Sequence, residues 1–224
     1  MNIKVIGSGS SGNCYRIDDG KTALLIECGL PIKKIKEGCN FDFSRVKGCL
    51  LTHAHLDHSR SAEFIMLSGI ELYTSPETAA ECHLNSHRLH LLKSLKGENI
   101  GSFEVFSFPV HHDVPTSGFL IYSYETQEKL LFITDSAYTD YKFPGLNFIM
   151  IEVSYAEEAI AGEPDAHRLR RSHMSIENCV EMLKANDLSK VKEVWLLHLS
   201  ERFGNSEDFK KTVMEATGCP TYIA

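Results

Sequence analysis

Short apolar runs rich in β-branched and aromatic residues recur along the chain, separated by Gly, Asp, Asn, Ser and Pro. Runs of this kind predict strands, here over residues 2–6, 13–18, 22–28, 46–52, 70–74, 103–110, 118–125, 129–134, 148–153 and 192–199. Asp19-Gly20, between the second and third runs, is a hairpin turn signal. Helical periodicity is rarer and falls at 61–68, 76–92, 175–186 and 206–217. Ser75-Pro76 followed by Glu77, and Ser175 ahead of Ile176-Glu177, are helix starts. Residues 155–172 are polar and aperiodic and read as a long loop, a class that tends to be functional or mobile. No repeat, low-complexity run or linker interrupts the pattern, so one domain over residues 1–224 is expected. Many strands with few βαβ units predict a layered α+β architecture rather than a doubly wound sheet.

The first strand runs into Gly7-Ser8-Gly9-Ser10-Ser11-Gly12, which spells the dinucleotide fingerprint G-x-G-x-x-G, with Glu27 where a ribose-binding acid would stand. That motif requires its last glycine to open a helix. Gly12 leads instead into a strand, a turn and another strand, with no room for a helix before Glu27. No organic cofactor is therefore expected, and the glycines read as a turn between two strands.

Bulk properties narrow the class. The chain has 224 residues, 43% of them hydrophobic and 24% charged, values of an ordinary globular protein. No run approaches the roughly 18–20 apolar residues of a membrane span, and the start has no secretory signal pattern. The seven cysteines form no C-x-x-C pair and fit reduced thiols. A cytoplasmic protein without a membrane partner is the expectation. The net charge of −7 argues against general coating of nucleic acid, though not against a local site whose positive charge comes from metal ions.

The strongest chemical signal is "LLTHAHLDHS" at the end of an apolar strand: His53, His55, Asp57 and His58. Three imidazoles and a carboxylate within six residues are metal-ligand types at ligand spacing. In an extended segment His53 and His55 project to one side. The chain must then turn to aim Asp57 and His58, which suggests a second, adjacent metal.

H-x-H-x-D-H after a strand resembles the metallo-β-lactamase superfamily. The resemblance implies a four-layer αββα sandwich with a two-metal site at one edge. It also implies the remaining ligands, in family order: His112 of "FPVHHDVP", in preference to His111; Asp135 of "LLFITDSAY" as the bridging carboxylate; and His198 of "VWLLHLS". "GSGSSGN", "TDSAY", "SHMS" and "HLS" look like the YycJ/WalJ-like branch, which is associated with DNA exonuclease activity. Glu152 in "IEVSY" and His173 in "RSHMS" resemble the pair thought to donate a proton to the leaving group in tRNase Z-like phosphodiesterases. Two positions depart from the family pattern. Ser61 stands where a Gly is usual, and Glu27 replaces the usual Asp before Cys28-Gly29, an acid that normally supports a metal ligand.

The implied activity is two-metal hydrolysis of a phosphodiester, DNA being the foremost substrate. His53, His55 and His112 would hold one ion and Asp57, His58 and His198 the other, with Asp135 between them. Two dications, Zn²⁺ or Mn²⁺, lower the pKa of a shared water and make a metal-bridging hydroxide the nucleophile. Asp57 would orient that hydroxide, and His173, steadied by Glu152, would protonate the leaving oxygen. Ser10, Ser11 and Asn13 in the opening turn are phosphate-holding candidates. So is Arg171, in a cluster with Arg168 and Arg170. The alternatives are a small-molecule phosphodiester or ester/lactone hydrolase of the same fold, and a non-catalytic metal-binding domain. The intact ligand set and the proton donor argue against the last of these. A redox di-iron role is disfavoured because that branch carries Glu in place of His55. His83, His87 and His90 share one face of the expected 76–92 helix and read as a polar stripe, because no acid or thiolate completes a metal site. Cys82 and Trp195 read as packing residues.

Overall fold

The hairpin signalled by Asp19-Gly20 forms. Strand β1 (Asn2–Gly7) pairs antiparallel with β2 (Cys14–Asp18), which returns antiparallel as β3 (Ala23–Ile26). Gly20 takes φ +98° at the turn, and Asp19 Oδ1 accepts the amides of Lys21 and Thr22, both at 2.9 Å. Side-chain capture of nearby amides is what makes Asp a turn former. A computed structural model describes residues 1–200 and 202–224. They form two compact units, Met1–Phe108 with Ile121–Gln127, and Pro109–Leu120 with Glu128–Ala224.

The first unit holds a six-stranded sheet in the order β1-β2-β3-β4-β5-β6, completed by β4 (Val46–Leu50), β5 (Leu72–Thr74) and β6 (Leu89–Leu91). From β3 onward the pairings are parallel. Helices α1 (Ile32–Gly38), α2 (Leu56–Ser59), α3 (Ala62–Leu67) and α4 (Pro76–Glu81) lie between the strands in the chain. Leu25, Cys49, Leu51, Ile65 and Leu72 are fully buried in one cluster. Each large apolar side chain removed from water contributes about 1.5–3 kcal/mol. Strand β7 (Gly97–Ile100) pairs antiparallel with β8 (Phe103–Val110), and β9 (Thr116–Ser123) comes next in the chain. The hydroxyls of Ser102 and Ser123 donate to Asp19 Oδ2 at 2.5 and 2.9 Å, tying the β2–β3 turn to two distant segments. Burial alone would push the Asp19 carboxyl up, but these donors outweigh it and hold its pKa below the ordinary value.

In the second unit β10 (Lys129–Ile133), β11 (Phe148–Glu152), β12 (Glu193–Leu197) and β13 (Thr221–Ile223) run parallel, in the spatial order β13-β12-β11-β10. Every residue of β11 is buried. Burial on both faces explains the near-continuous apolar runs at 129–134 and 148–153. Helices α5 (Ala166–Ser172), α6 (Ile176–Lys184) and α7 (Ser206–Thr217) complete the unit. Ser175 caps α6 by accepting from Asn178 N at 3.1 Å, as its position predicts, and Gly218 ends α7 at φ +70°.

Three expectations are corrected. The helix over 76–92 starts at Pro76 behind its Ser75 cap but ends at Glu81, and His83 takes φ +51° soon after. Leu89 and Leu91 then belong to a strand beside β5, with Leu72 opposite Leu89. Leucines at 84, 89, 91 and 92 suit either period, and pairing with β5 decided between them. His83, His87 and His90 therefore share no helical face; His90 stacks on Tyr73 and pairs with Glu71 at 2.7 Å. The 155–172 segment contains α5, held by Ala166 and Leu169 against Tyr155 and Ile160. Trp195 is only half-buried, its Nε1 donating to Glu193 Oε2 at 2.9 Å and its ring stacked on Tyr222. Among the described residues no helix is long and apolar enough to cross a membrane.

Candidate metal centre

In the first unit β4 delivers a buried Leu51-Thr52-His53 to its end. The Thr52 hydroxyl donates to Glu27 Oε1 at 2.5 Å and lies 2.8 Å from His53 Nδ1. A hydroxyl has one proton, and Thr52 gives it to the carboxylate. Toward His53 it must accept, so Nδ1 carries the ring proton and Nε2 the lone pair that binds metal. His55 ends the extended run, and the amides of His58 and Ser59 return to its carbonyl at 2.9 Å. That single turn, α2, aims Asp57 and His58. The His53 ring centroid lies 4.7 Å from that of His55 and 4.2 Å from that of His58. His58 is buried, with Nδ1 3.3 Å from Glu27 Oε1 and Nε2 3.4 Å from Asp57 Oδ2. Glu27 thus serves both His53, through Thr52, and His58.

The opening turn lies against this loop. Asn13 N donates to the Asp57 carbonyl and Cys28 N to the His58 carbonyl, both at 2.8 Å. A side chain at Gly29 would collide with the Asp57 carbonyl, and one at Gly12 would lie 2.6 Å from the Gly29 carbonyl. Close backbone approach therefore explains both glycines. Asn13 is buried; its Oδ1 accepts from Gly9 N at 2.8 Å, and its Nδ2 donates toward His58 Nε2 at 3.1 Å. Ser10 and Ser11 are exposed. Ser61 is buried, its hydroxyl donating to the Leu30 carbonyl at 2.7 Å, an internal use for the hydroxyl where the family usually has Gly.

In the second unit the candidate residues stand at strand ends. Asp135 lies just beyond β10, Glu152 ends β11 and His198 lies just beyond β12. Asp135 and His198 have φ of 45° and 52°, as Glu27 after β3 has 66°. The left-handed conformation costs a non-glycine residue roughly 1–2 kcal/mol, and here it swings each functional side chain off its strand. His112 Nδ1 donates to the Ser172 carbonyl at 2.6 Å, so its Nε2 faces Asp113 Oδ1 at 2.9 Å and Asp135 Oδ2 at 4.0 Å. Glu152 is fully buried, accepting from Ser136 N, the Ser154 hydroxyl and His173 Nδ1 at 2.8, 2.6 and 2.7 Å. Burial would lower the His173 pKa, but the charge and hydrogen bond of Glu152 prevail and raise it to about 9. Ligand atoms of Asp135, Glu152, His173 and His198 all lie within 4.8 Å of one another. His198 Nδ1 is 3.6 Å from Asp135 Oδ1, and its ring stacks on His173. Arg171 is exposed at the end of α5.

Both groups suit a divalent ion. Imidazoles oriented by hydrogen bonds at their far nitrogen, and buried carboxylates beside them, are the donors such ions take. Thr52, Ser136, Ser154 and the Ser172 carbonyl are supports that sequence reading did not single out.

These features define a class before any particular protein. A model of the beta-lactamase superfamily domain matches residues 31–199; the chain belongs to that superfamily and has the metallo-β-lactamase fold, as the H-x-H-x-D-H resemblance implied. Fold and donor set are those of the metal-dependent hydrolases. Among individual proteins, the chain is similar to exodeoxyribonuclease WalJ of Streptococcus pneumoniae, at 26% identity over 218 residues, 88% of this chain and 81% of that protein. Its fold is similar to that of the metallo-beta-lactamase fold protein YhfI from Bacillus subtilis (17% identity, TM-score 0.78, 99% of this chain and 95% of that one). It is also similar to the short form of human tRNase Z (14% identity, TM-score 0.68, 100% and 96%).

Proposed function

We propose that the chain acts as one hydrolase domain, a two-metal phosphodiesterase that shortens DNA as an exonuclease. The observation that carries this reading is the buried Glu152 bonded to His173 Nδ1 at 2.7 Å. A carboxylate in that position keeps the imidazole charged and oriented. An alkoxide leaving group needs such a proton donor, whereas a simple binding module does not. The similarity to a protein named exodeoxyribonuclease supports DNA as substrate.

In this reading His53, His55 and His112 would hold one ion and Asp57, His58 and His198 the other, with Asp135 as a further ligand. When bound, two divalent ions, zinc or manganese, would supply a water-derived nucleophile at neutral pH and offset the charge that develops on the reacting oxygens. Asp57 accepts a hydrogen bond from the attacking water and so aims it. His173, its Nδ1 fixed on Glu152, presents the opposite ring N–H to the leaving oxygen. Ser10 and Ser11 offer hydroxyls to substrate phosphate, and Asn13 acts from behind them by holding Gly9 and His58. Arg171 supplies charge for the strand. Seven free thiols support a cytoplasmic setting.

The test is a panel of end-labelled duplex and single-stranded DNA, a cyclic dinucleotide and bis(p-nitrophenyl) phosphate, each with zinc and with manganese. Stepwise shortening of DNA that a chelator stops is the expected result. If DNA survives while a small diester is consumed, the small-molecule reading, which the net charge of −7 favours, replaces this one.

A further inference from the structure

One cavity of the second unit, about 590 Å³, opens beside His112 and Ser172 and is lined further by Tyr138, His167, Arg168 and Arg171. Its size falls within the roughly 300–1,000 Å³ of small-ligand pockets. The arginines stand three residues apart on α5, so their side chains neighbour each other on one helix face. Both are exposed, and among the described residues neither forms an ion pair with a carboxylate, whereas Arg170 between them is tied to Glu157 at 2.8 Å. Of the acids nearby, Asp113 lies against His112 Nε2 and Asp140 pairs with His111 at 3.0 Å. The cavity therefore carries two unengaged guanidinium groups on a chain of net charge −7. Opposite them, the loop bearing Tyr138 is held in place. Ala137 N donates to the His111 carbonyl at 2.8 Å, and the Ser136 hydroxyl donates to the Tyr138 carbonyl at 2.7 Å. The Tyr138 ring itself is 45% exposed, a presented aromatic face rather than a packed one.

Guanidinium forks recognise phosphate oxygens, and an exposed tyrosine ring takes an unpaired base. We infer that this cavity is a nucleotide subsite. Arg168 and Arg171 bind the backbone phosphate next to the scissile one, and Tyr138 stacks on the base of that nucleotide. The inference rests on the phosphodiesterase reading and adds a preference for a DNA strand over an isolated diester.

Binding is measured first, by fluorescence anisotropy of a labelled single-stranded octanucleotide with chelator present. The R168A/R171A double variant is expected to weaken binding at least about tenfold and to flatten log K against log salt by about 1.4, or 0.7 for each guanidinium withdrawn from the phosphates. Lys211→Ala, a charge removed from α7, leaves that slope in place. Tyr138→Ala weakens binding by roughly 5- to 150-fold without changing the slope. With metal added, the double variant loses at least tenfold more kcat/KM on the octanucleotide than on bis(p-nitrophenyl) phosphate, which has no flanking nucleotide. Unchanged affinity and slope, or equal loss on both substrates by a variant with native circular dichroism, overturns the subsite. If the native protein binds the octanucleotide through these arginines but hydrolyses neither substrate, the subsite stands and the hydrolase reading falls.

Discussion

Four candidate ligands of the first unit stand within six residues, His53 to His58, while the residues that orient them, Asn13 and Glu27, lie far back in the chain. The second unit differs. Its candidates, His112, Asp135 and His198, are spread over most of its length, and the supports come from other segments again, the Ser172 carbonyl for His112 and Ser136 N for Glu152. The difference arises from the secondary structure beneath each group. A strand running into a single helical turn can aim several side chains at one point. A parallel sheet brings one residue per strand to its edge and must assemble its site from separate segments.

Both groups are proposed to hold metal, so loss of a ligand from either should have a like effect. His53→Ala and His198→Ala are each expected to lower diester hydrolysis about 10³-fold, some 4 kcal/mol of transition-state stabilisation, with metal lost from the purified protein. Full activity and metal content in His198→Ala would break the comparison, because the second group would then have no part in the chemistry. A smaller loss is expected for His173→Ala, about 10²–10⁴-fold on DNA but much less on an aryl diester, whose leaving group needs no proton. Equal slowing on both substrates would remove its role.

The supports should count less than the ligands. Thr52→Val is expected to weaken metal binding about 10- to 100-fold by chelator competition, with Thr52→Ser restoring it, since the serine hydroxyl can still bridge Glu27 and His53. An unchanged affinity would mean that the His53 tautomer is set elsewhere.

Asp19 gives the smallest effect and the control. It is a buried carboxylate of the first unit satisfied by protein donors, so Asp19→Asn should cost about 1–3 kcal/mol of stability at pH 7 and leave metal binding unaffected. Because its folded pKa is depressed, the stabilisation is complete above the ordinary Asp value, about 3.9, and is lost as pH falls through the folded value. Denaturation of both proteins between pH 7 and pH 3 should show the gap closing at the acid end; a gap independent of pH would place the effect outside the carboxylate.

Local chemistry was legible in the residues alone wherever it was contiguous. The H-x-H-x-D-H loop, the Asp19-Gly20 turn, the Ser75 and Ser175 caps and the continuous apolar β10 and β11 all announce themselves, because ligand spacing, turn formation and burial on both faces act over a few neighbours. The opening G-x-G-x-x-G could be separated from a nucleotide fold by the strand and hairpin turn directly after it, but not explained. Asn13 answers to Asp57 and His58, more than forty residues away, and Gly12 to the carbonyl of Gly29. The same limit hid β6, whose leucines fit a helix until β5 offers them a partner, and the support that Glu27 gives through Thr52. It also hid Arg168 and Arg171 of α5, which have no carboxylate partner among the described residues, unlike Arg170 between them. Contacts of that kind form when the backbone closes on itself, and no window of neighbouring residues contains them.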